Sequence, residues 1–294
     1  MFKSGFVNII GRPNVGKSTL TNALVGEDMS IITYKPQTTR HRILGIVTGD
    51  NFQMIFSDTP GFVHDPSYKM HEKMNRYVHT TFEDADIMLL VVDHEDRYQE
   101  DHILIRKLKS LACPIFIIIN KIDLLQDAES LKQIESHYEK LLPSALIFTI
   151  SALKGQNISQ LYDKLLSSLP EGPAYFPADQ LSDRTERFFV SEMIRENIFL
   201  LYHEEVPYSC EVVVESFKDE PDLVRIEAII FVSRKTQQAI LIGKGGRAIK
   251  QLGIDSRLKI EAFLEKKVFL QLRVKVREDW RNNDQLLQRL GYNQ

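Results

Sequence analysis

The chain has 294 residues, 43% of them hydrophobic and 26% charged, with a formal net charge of −3. That balance fits about two globular cores and excludes collagenous, disordered and disulfide-scaffold classes, and Cys113 and Cys210 lie far apart without CxxC spacing, as in a reducing cytosol. No apolar run approaches the roughly 20 residues that span a bilayer, and no signal-peptide core precedes the first polar loop, so a cytoplasmic protein is expected.

Residues 5–10 (GFVNII) read as a strand and 17–26 as a helix, joined by Gly11, Arg12, Pro13, Asn14, Val15, Gly16, Lys17 and Ser18. Gly-x4-Gly-Lys-Ser between a strand and a helix is the P-loop arrangement, in which backbone N–H groups and a helix N-terminus face phosphates. Lys17 is expected to bridge the β- and γ-phosphates and Ser18 to ligate magnesium. The stretch PQTTR, 36–40, offers a threonine that can complete the magnesium shell once a γ-phosphate is present; Thr39 is favoured and Thr38 is its rival. Residues 42–48 and 52–57 read as a hairpin turning at TGDN, so one sheet edge is antiparallel. The second strand ends in Asp58, Thr59, Pro60 and Gly61, with Asp58 set to hold magnesium through water and the Gly61 N–H to sense the γ-phosphate.

Strands at 86–93, 114–119 and 145–150 alternate with helices at 70–83, 99–111, 130–141 and 158–168, the pattern of a mostly parallel α/β sheet covered on both faces. The strand at 114–119 ends in Asn120, Lys121, Ile122 and Asp123. A carboxylate accepts two hydrogen bonds from guanine N1–H and N2–H₂, a pair adenine lacks, so Asp123 is the base-specificity candidate. Asn120 is expected to tie this loop to the P-loop, and the Lys121 stem to cover the base. After 145–150, Ser151 and Ala152 open SALKG, with the Ala152 N–H set for guanine O6. Each motif alone is weak. Five in order, four of them at strand ends where open α/β sheets bind ligands, point to a magnesium-dependent GTPase domain over 1–170, with Lys17, Thr39 and Gly61 nearest the chemistry. The motif set resembles that of the translation-factor class of GTPases.

The stretch LPEGPAYFPADQLSD, 169–183, carries three prolines without periodicity and reads as a linker, centred on 171–182. From 183 to 294 the pattern changes. A helix over 183–204, strands at 209–217 and 223–232, helices at 235–242 and 246–265 and a strand at 267–276 give the order α-β-β-α-α-β, and a C-terminal helix follows. Residues 178–233 carry net −8 and 234–277 net +9. Inside the basic block, LIGKGGRAIKQLG lacks the P-loop spacing and reads as a glycine corner between two helices. That is the GxxG loop of a KH domain, which clamps about four nucleotides of a single strand. Ile242, Gly243, Lys244, Gly245, Gly246, Arg247 and Lys250 are the RNA-binding candidates, with Ile240, Ile242, Ile249 and Leu252 as an apolar platform for bases.

Ras-like enzymes orient the attacking water with a glutamine just after DxxG. Here that position is Phe62, which cannot hydrogen-bond. Together with Asn14 and QTTR it resembles a GTPase branch that often uses potassium, held partly by the P-loop asparagine; Asn14 is therefore a candidate potassium ligand. Across nearly all its length, from GRPNVGKSTL through PQTTRHRI, DTPG, NKID and ISA to DRTERFFVSEMIRE, VPYSC, LIGKGG and VKVREDW, the chain resembles the Era GTPases of bacteria. That resemblance implies a P-loop GTPase domain joined to a type II KH domain, and binding of the 3′ end of small-subunit ribosomal RNA. It also implies help in late maturation of the small ribosomal subunit and peripheral association with the inner membrane; a monomer is expected. The stretch FVHDPSYKMHEK after DTPG carries no readable motif.

Overall fold

The runs at 87–92 (IMLLVV) and 115–119 (IFIII) are buried over their full length, which requires a sheet covered on both faces. The computed structural model describes residues 1–294 apart from Tyr34, Pro36, His64, Gln126, Asn293 and Gln294. Its first part comprises β1 (Lys3–Ile10), α1 (Lys17–Val25), β2 (Ile43–Gly49), β3 (Phe52–Asp58), α2 (Lys69–Thr80), β4 (Ile87–Val92), α3 (Ile103–Lys109), β5 (Ile115–Ile119), α4 (Ala128–Leu141), β6 (Leu146–Thr149) and α5 (Ile158–Ser168). The sheet order is β2-β3-β1-β4-β5-β6. Only β2 runs antiparallel, against β3, as the TGDN hairpin predicts. The carboxyl ends of the five parallel strands therefore share one edge, and the loops that follow them meet there. One apolar core lies under α1 and α5 and another under α3 and α4.

The second part comprises α6 (Glu186–Leu201), α7 (Val206–Ser209), β7 (Glu211–Asp219), β8 (Leu223–Val232), α8 (Lys235–Ile242), α9 (Arg247–Leu264), β9 (Lys267–Val276) and α10 (Asp284–Arg289). Its sheet runs β7-β8-β9, antiparallel then parallel, with a bulge between Val214 and Ser216. In β9 the alternating sequence KVFLQLRVKV turns Val268, Leu270, Leu272 and Val274 towards a core shared with α6, α8 and α9. The opposite face is charged, with Arg273 paired to Glu215 and Glu227.

One helix is shorter than the sequence reading gives, and two further segments make contacts that the sequence does not announce. The helix expected at 99–111 is confined to Ile103–Lys109, because the His102 side chain accepts the Leu104 N–H at 3.2 Å and caps it there. The proline-rich stretch 169–183 is strapped to the sheet. The Gln53 side chain accepts the N–H groups of Tyr175 and Phe176 at 2.8 and 2.9 Å, and Ile46 N–H donates to Leu181 O at 2.8 Å. Prolines keep the stretch out of a regular ladder, yet a side-chain amide satisfies its backbone instead. The unread stretch after DTPG leads into α2; its Val63 and Met70, with Met74 and Tyr77 further along α2, form a core with Trp280, Leu287 and Tyr292 from the end of the chain. His64 of that stretch and Pro36 of PQTTR lie outside the described residues.

Candidate nucleotide site and nucleic-acid interface

A cavity of about 870 Å³ opens at the carboxyl edge of the first sheet, in the range of small-molecule sites. The P-loop from Arg12 to Ser18, Thr38 and Thr39, Gly61, Asn120, Lys121 and Asp123 all line it. Lys17 is buried and donates to Gly11 O at 3.0 Å and Arg12 O at 2.7 Å. Burial lowers its pKa to about 8, against the pull of Asp58 and Asp96. Ser18 Oγ donates to Asp58 Oδ2 at 2.7 Å and lies 2.9 Å from Thr39 Oγ1. Thr38, the rival threonine, instead donates to Lys35 O at 2.7 Å. Asp58 is fully buried, which pushes its pKa up, and its Oδ1 has no hydrogen-bond partner among the described residues. Two hydroxyls and a carboxylate with one unspent oxygen form a hard donor set, which fits a magnesium ion.

The motif after β3 is held from both sides. Thr59 Oγ1 donates to Ile9 O at 2.7 Å, and Pro60 is buried. A Cβ on Gly61 would stand 2.7–2.9 Å from Pro13, so only glycine lets this loop close on the P-loop. Asn14 takes a left-handed φ of 66°. Phe62 packs against the core beneath α3, with its ring 6.3 Å from that of His79.

On the base side, Asn120 Nδ2 donates to Val15 O at 2.9 Å, joining the base loop to the P-loop. Lys121 Nζ donates to Asp93 Oδ2 at 2.7 Å; burial pushes the Asp93 pKa up, but this bond, the Glu95 N–H and the Lys121 charge together bring it below the usual value. Asp123 is exposed at the rim, in a short turn with the half-buried Ile122. The Ala152 N–H donates to Asn120 Oδ1 at 3.0 Å, while Asn120 turns its amide nitrogen to Val15. Ser151 is fully buried and accepts the Lys154 N–H at 3.2 Å, shaping the turn. The Arg12 guanidinium pairs with Asp96 at 2.9 Å and stacks 4.8 Å above the Tyr98 ring. Asp93 and Asp96 were missed by sequence reading; the strand-end position of Asp93 was their one available signal.

In the second part, α8 and α9 meet at the glycine corner. Gly245 and Gly246 have φ of 62° and 75°, and a Cβ on either would meet nothing within 4 Å. These glycines are needed for backbone shape, and the loop stands open. Lys244, Arg247, Lys250, Ile240 and Ile242 are exposed beside Gly243, and Ile249 is half-buried. Leu252 corrects the platform reading: it is 0% exposed and belongs to the core.

The side chains flanking Thr39 reach into the second part, which the sequence did not announce. Lys35 Nζ donates to Phe199 O at 2.5 Å and to Tyr202 O, the carbonyls at the end of α6. Arg40, 2% exposed, donates to Cys210 O at 2.6 Å and Glu211 Oε2 at 2.9 Å, and also reaches the carbonyls of Pro207 and Tyr208. His41 is buried against Tyr77, Phe188 and Tyr292.

Fold and site together define a P-loop GTPase joined to a KH domain. A family model described as 50S ribosome-binding GTPase matches residues 6–121, and a KH-domain model matches residues 205–281. The chain is 47% identical over 297 residues to GTPase Era of Syntrophus aciditrophicus, covering 100% of this chain and 96% of that protein. It is 45% identical over 292 residues to GTPase Era of Staphylococcus epidermidis, covering 99% and 97%. Its structure matches, with a TM-score of 0.94 and 36% identity over 99% of both chains, a crystal structure of Era in complex with MgGDPNP and nucleotides 1506–1542 of 16S ribosomal RNA. A variant of Aquifex aeolicus Era bound to GDP and AlF4⁻ matches equally, at 0.94 and 36%. The chain belongs to the Era family of GTPases and is a GTP hydrolase.

Proposed function

We propose that this GTPase hydrolyses GTP to GDP in the P-loop cavity and binds the 3′ end of small-subunit ribosomal RNA at its GKGG corner, assisting late assembly of the small subunit. The observation that carries the reading is the Ser18–Thr39–Asp58 cluster, whose threonine is followed by Arg40, a side chain that reaches Glu211 of the KH domain. Ser18, Thr39 and, through water, Asp58 would hold magnesium, which supplies positive charge against the phosphate oxygens. Lys17 neutralises the β- and γ-phosphates, and the Gly61 N–H meets the γ-phosphate. Asp123 selects guanine, with Lys121 laid over the base and tethered by Asp93. Gly243 to Gly246 admit an RNA backbone, and Lys244, Arg247 and Lys250 supply charge. GTP orders the segment around Thr39 and hydrolysis releases it. Since Lys35 and Arg40 anchor that segment in the KH domain, RNA affinity follows nucleotide state.

Phe62 offers no hydrogen bond to water, so intrinsic turnover is slow and potassium near Asn14, RNA or both accelerate it; equal turnover in sodium and potassium without RNA stimulation removes this part. The association with the inner membrane that the family resemblance implies would be peripheral; no helix among the described residues is long and apolar enough to cross a membrane. The test is steady-state turnover. Lys17→Ala is expected to abolish it, and Asp123→Asn to shift preference from GTP to XTP. Absence of turnover in the unaltered protein would favour an RNA chaperone whose nucleotide site is a structural clasp. Retained GTP preference in Asp123→Asn would overturn the base assignment.

A further inference from the structure

The loop after β4 holds the nucleotide cavity at two places. Asp93 at its start pairs with Lys121 on the base side. Asp96, on the phosphate side, accepts from Arg12 Nη1 at 2.9 Å through its Oδ1. All four residues line the cavity. Arg12 is fixed at both ends. Its guanidinium stacks 4.8 Å over the ring of Tyr98, which is fully buried, and its carbonyl accepts from Lys17 Nζ at 2.7 Å. The preceding Gly11 lies tight against β4: a Cβ there would stand 2.3 Å from Val91 O. The loop itself is braced from within and from α4. Asp96 N–H donates to Asp93 O at 3.3 Å, Glu95 N–H to Asp93 Oδ1 at 3.1 Å, and the Tyr138 hydroxyl to Asp96 O at 3.3 Å. A carboxylate that lines a phosphate site repels its ligand. Asp96 is also 4% exposed, and its Oδ2 has no partner among the described residues, so its burial is costly as well. What offsets both costs is the bond to Arg12.

We propose that Asp96 is a positioning residue for the P-loop: by holding the Arg12 side chain it fixes the Arg12 carbonyl that Lys17 uses, and with it the start of the loop that receives the phosphates. The loop is then shaped before nucleotide arrives, so less of the binding free energy goes into ordering it. The same short loop sets the base side through Asp93 and Lys121, so one braced segment spaces the two ends of the site. The inference rests on the proposed P-loop phosphate site.

The test is the affinity of the full-length protein for a fluorescent GDP analogue, with GDP and IDP as competitors. Asp96→Ala takes a negative charge out of an anion site, so charge alone predicts tighter binding. The proposal expects GDP to bind about 3- to 10-fold more weakly, the worth of roughly one hydrogen bond. Asp96→Asn keeps an acceptor for Arg12 and is expected to fall between Asp96→Ala and the unaltered protein, whereas charge alone makes the two variants alike. The double variant Arg12→Gln with Asp96→Ala is expected to bind no more weakly than Arg12→Gln, because the two residues act as one tie. IDP lacks the guanine amino group that Asp123 reads, so the ratio of GDP to IDP affinity reports the base side and is expected to stay unchanged in Asp96→Ala. Unchanged or tighter GDP binding in Asp96→Ala overturns the proposal, as does a fall in that ratio, which marks a general loosening of the domain. If Lys17→Ala binds GDP as well as the unaltered protein does, the P-loop assignment itself fails and takes this inference with it, an outcome distinct from the others.

Discussion

Arg40 follows the threonine that meets Ser18, and it carries the most concentrated set of bonds between the two domains. Replacing it with methionine keeps most of its volume and removes every donor. Among the described residues Glu211, 4% exposed, would keep the Tyr292 hydroxyl at 2.9 Å as a hydrogen-bond donor, and the carbonyls of Pro207, Tyr208 and Cys210 would each lose the Arg40 donor. Burial already pushes the Glu211 pKa up, with Arg40 and then Arg195 opposing that rise. Stranding one member of a buried pair costs about 3–5 kcal/mol, and the nearby Arg195 charge puts the expectation at the low end, about 3 kcal/mol. Trp280 is the single tryptophan, fully buried, with its ring 5.9 Å from the Arg40 guanidinium. Its emission during urea unfolding therefore reports this interface. The double variant Arg40→Met with Glu211→Met is expected to recover most of the loss, because an apolar pair leaves no stranded charge. A loss below about 1 kcal/mol in Arg40→Met, or a double variant that loses the sum of both single changes, refutes the reasoning.

Two titrations give further expectations. Lys17 has its pKa lowered to about 8 in the free protein, and phosphate restores the charge, so GDP binding at pH 8.5 takes up most of one proton and at pH 7 takes up almost none. Calorimetry in buffers of different ionisation enthalpy measures this, and zero uptake at pH 8.5 contradicts it. Burial lowers the His41 pKa to about 3, from 6.5. A depressed histidine contributes stability that is fully present above its unfolded pKa and is lost as pH falls, here by roughly 1.4 kcal/mol per pH unit below 6.5. His41→Phe, which keeps the ring among Tyr77, Phe188 and Tyr292, should flatten the acid limb of stability against pH between 6.5 and 4; parallel limbs in both proteins contradict it.

Local signals carried the first domain. GRPNVGKS between a strand and a helix, the TGDN hairpin and the motifs at strand ends each depend on neighbours in sequence, and the sheet assembles them at one edge. The glycine corner between α8 and α9 was legible for the same reason. Contacts between distant segments were not. Nothing in PQTTRHR says that Arg40 meets Glu211 or that Lys35 meets the end of α6, because both partners look like ordinary surface charges until they are buried together. Helical spacing likewise could not tell the exposed Ile240 from the buried Leu252, since both are apolar positions on helices beside the loop. The stretch 169–183 reads as a linker from its three prolines, and nothing in it announces the bonds that Gln53 makes to its backbone. The unread stretch after DTPG has its meaning only against Trp280 and Tyr292, more than 200 residues later.

The central claim is that one chain links a GTP switch to RNA held at the GKGG corner. Crosslinking in cells, followed by mapping of the bound RNA, tests it most directly when a Gly245→Asp variant is run beside the unaltered protein. The account predicts a single dominant site at the 3′ end of small-subunit ribosomal RNA, lost in the variant. Crosslinks spread without preference, or a 3′-end site that persists in Gly245→Asp, would contradict it.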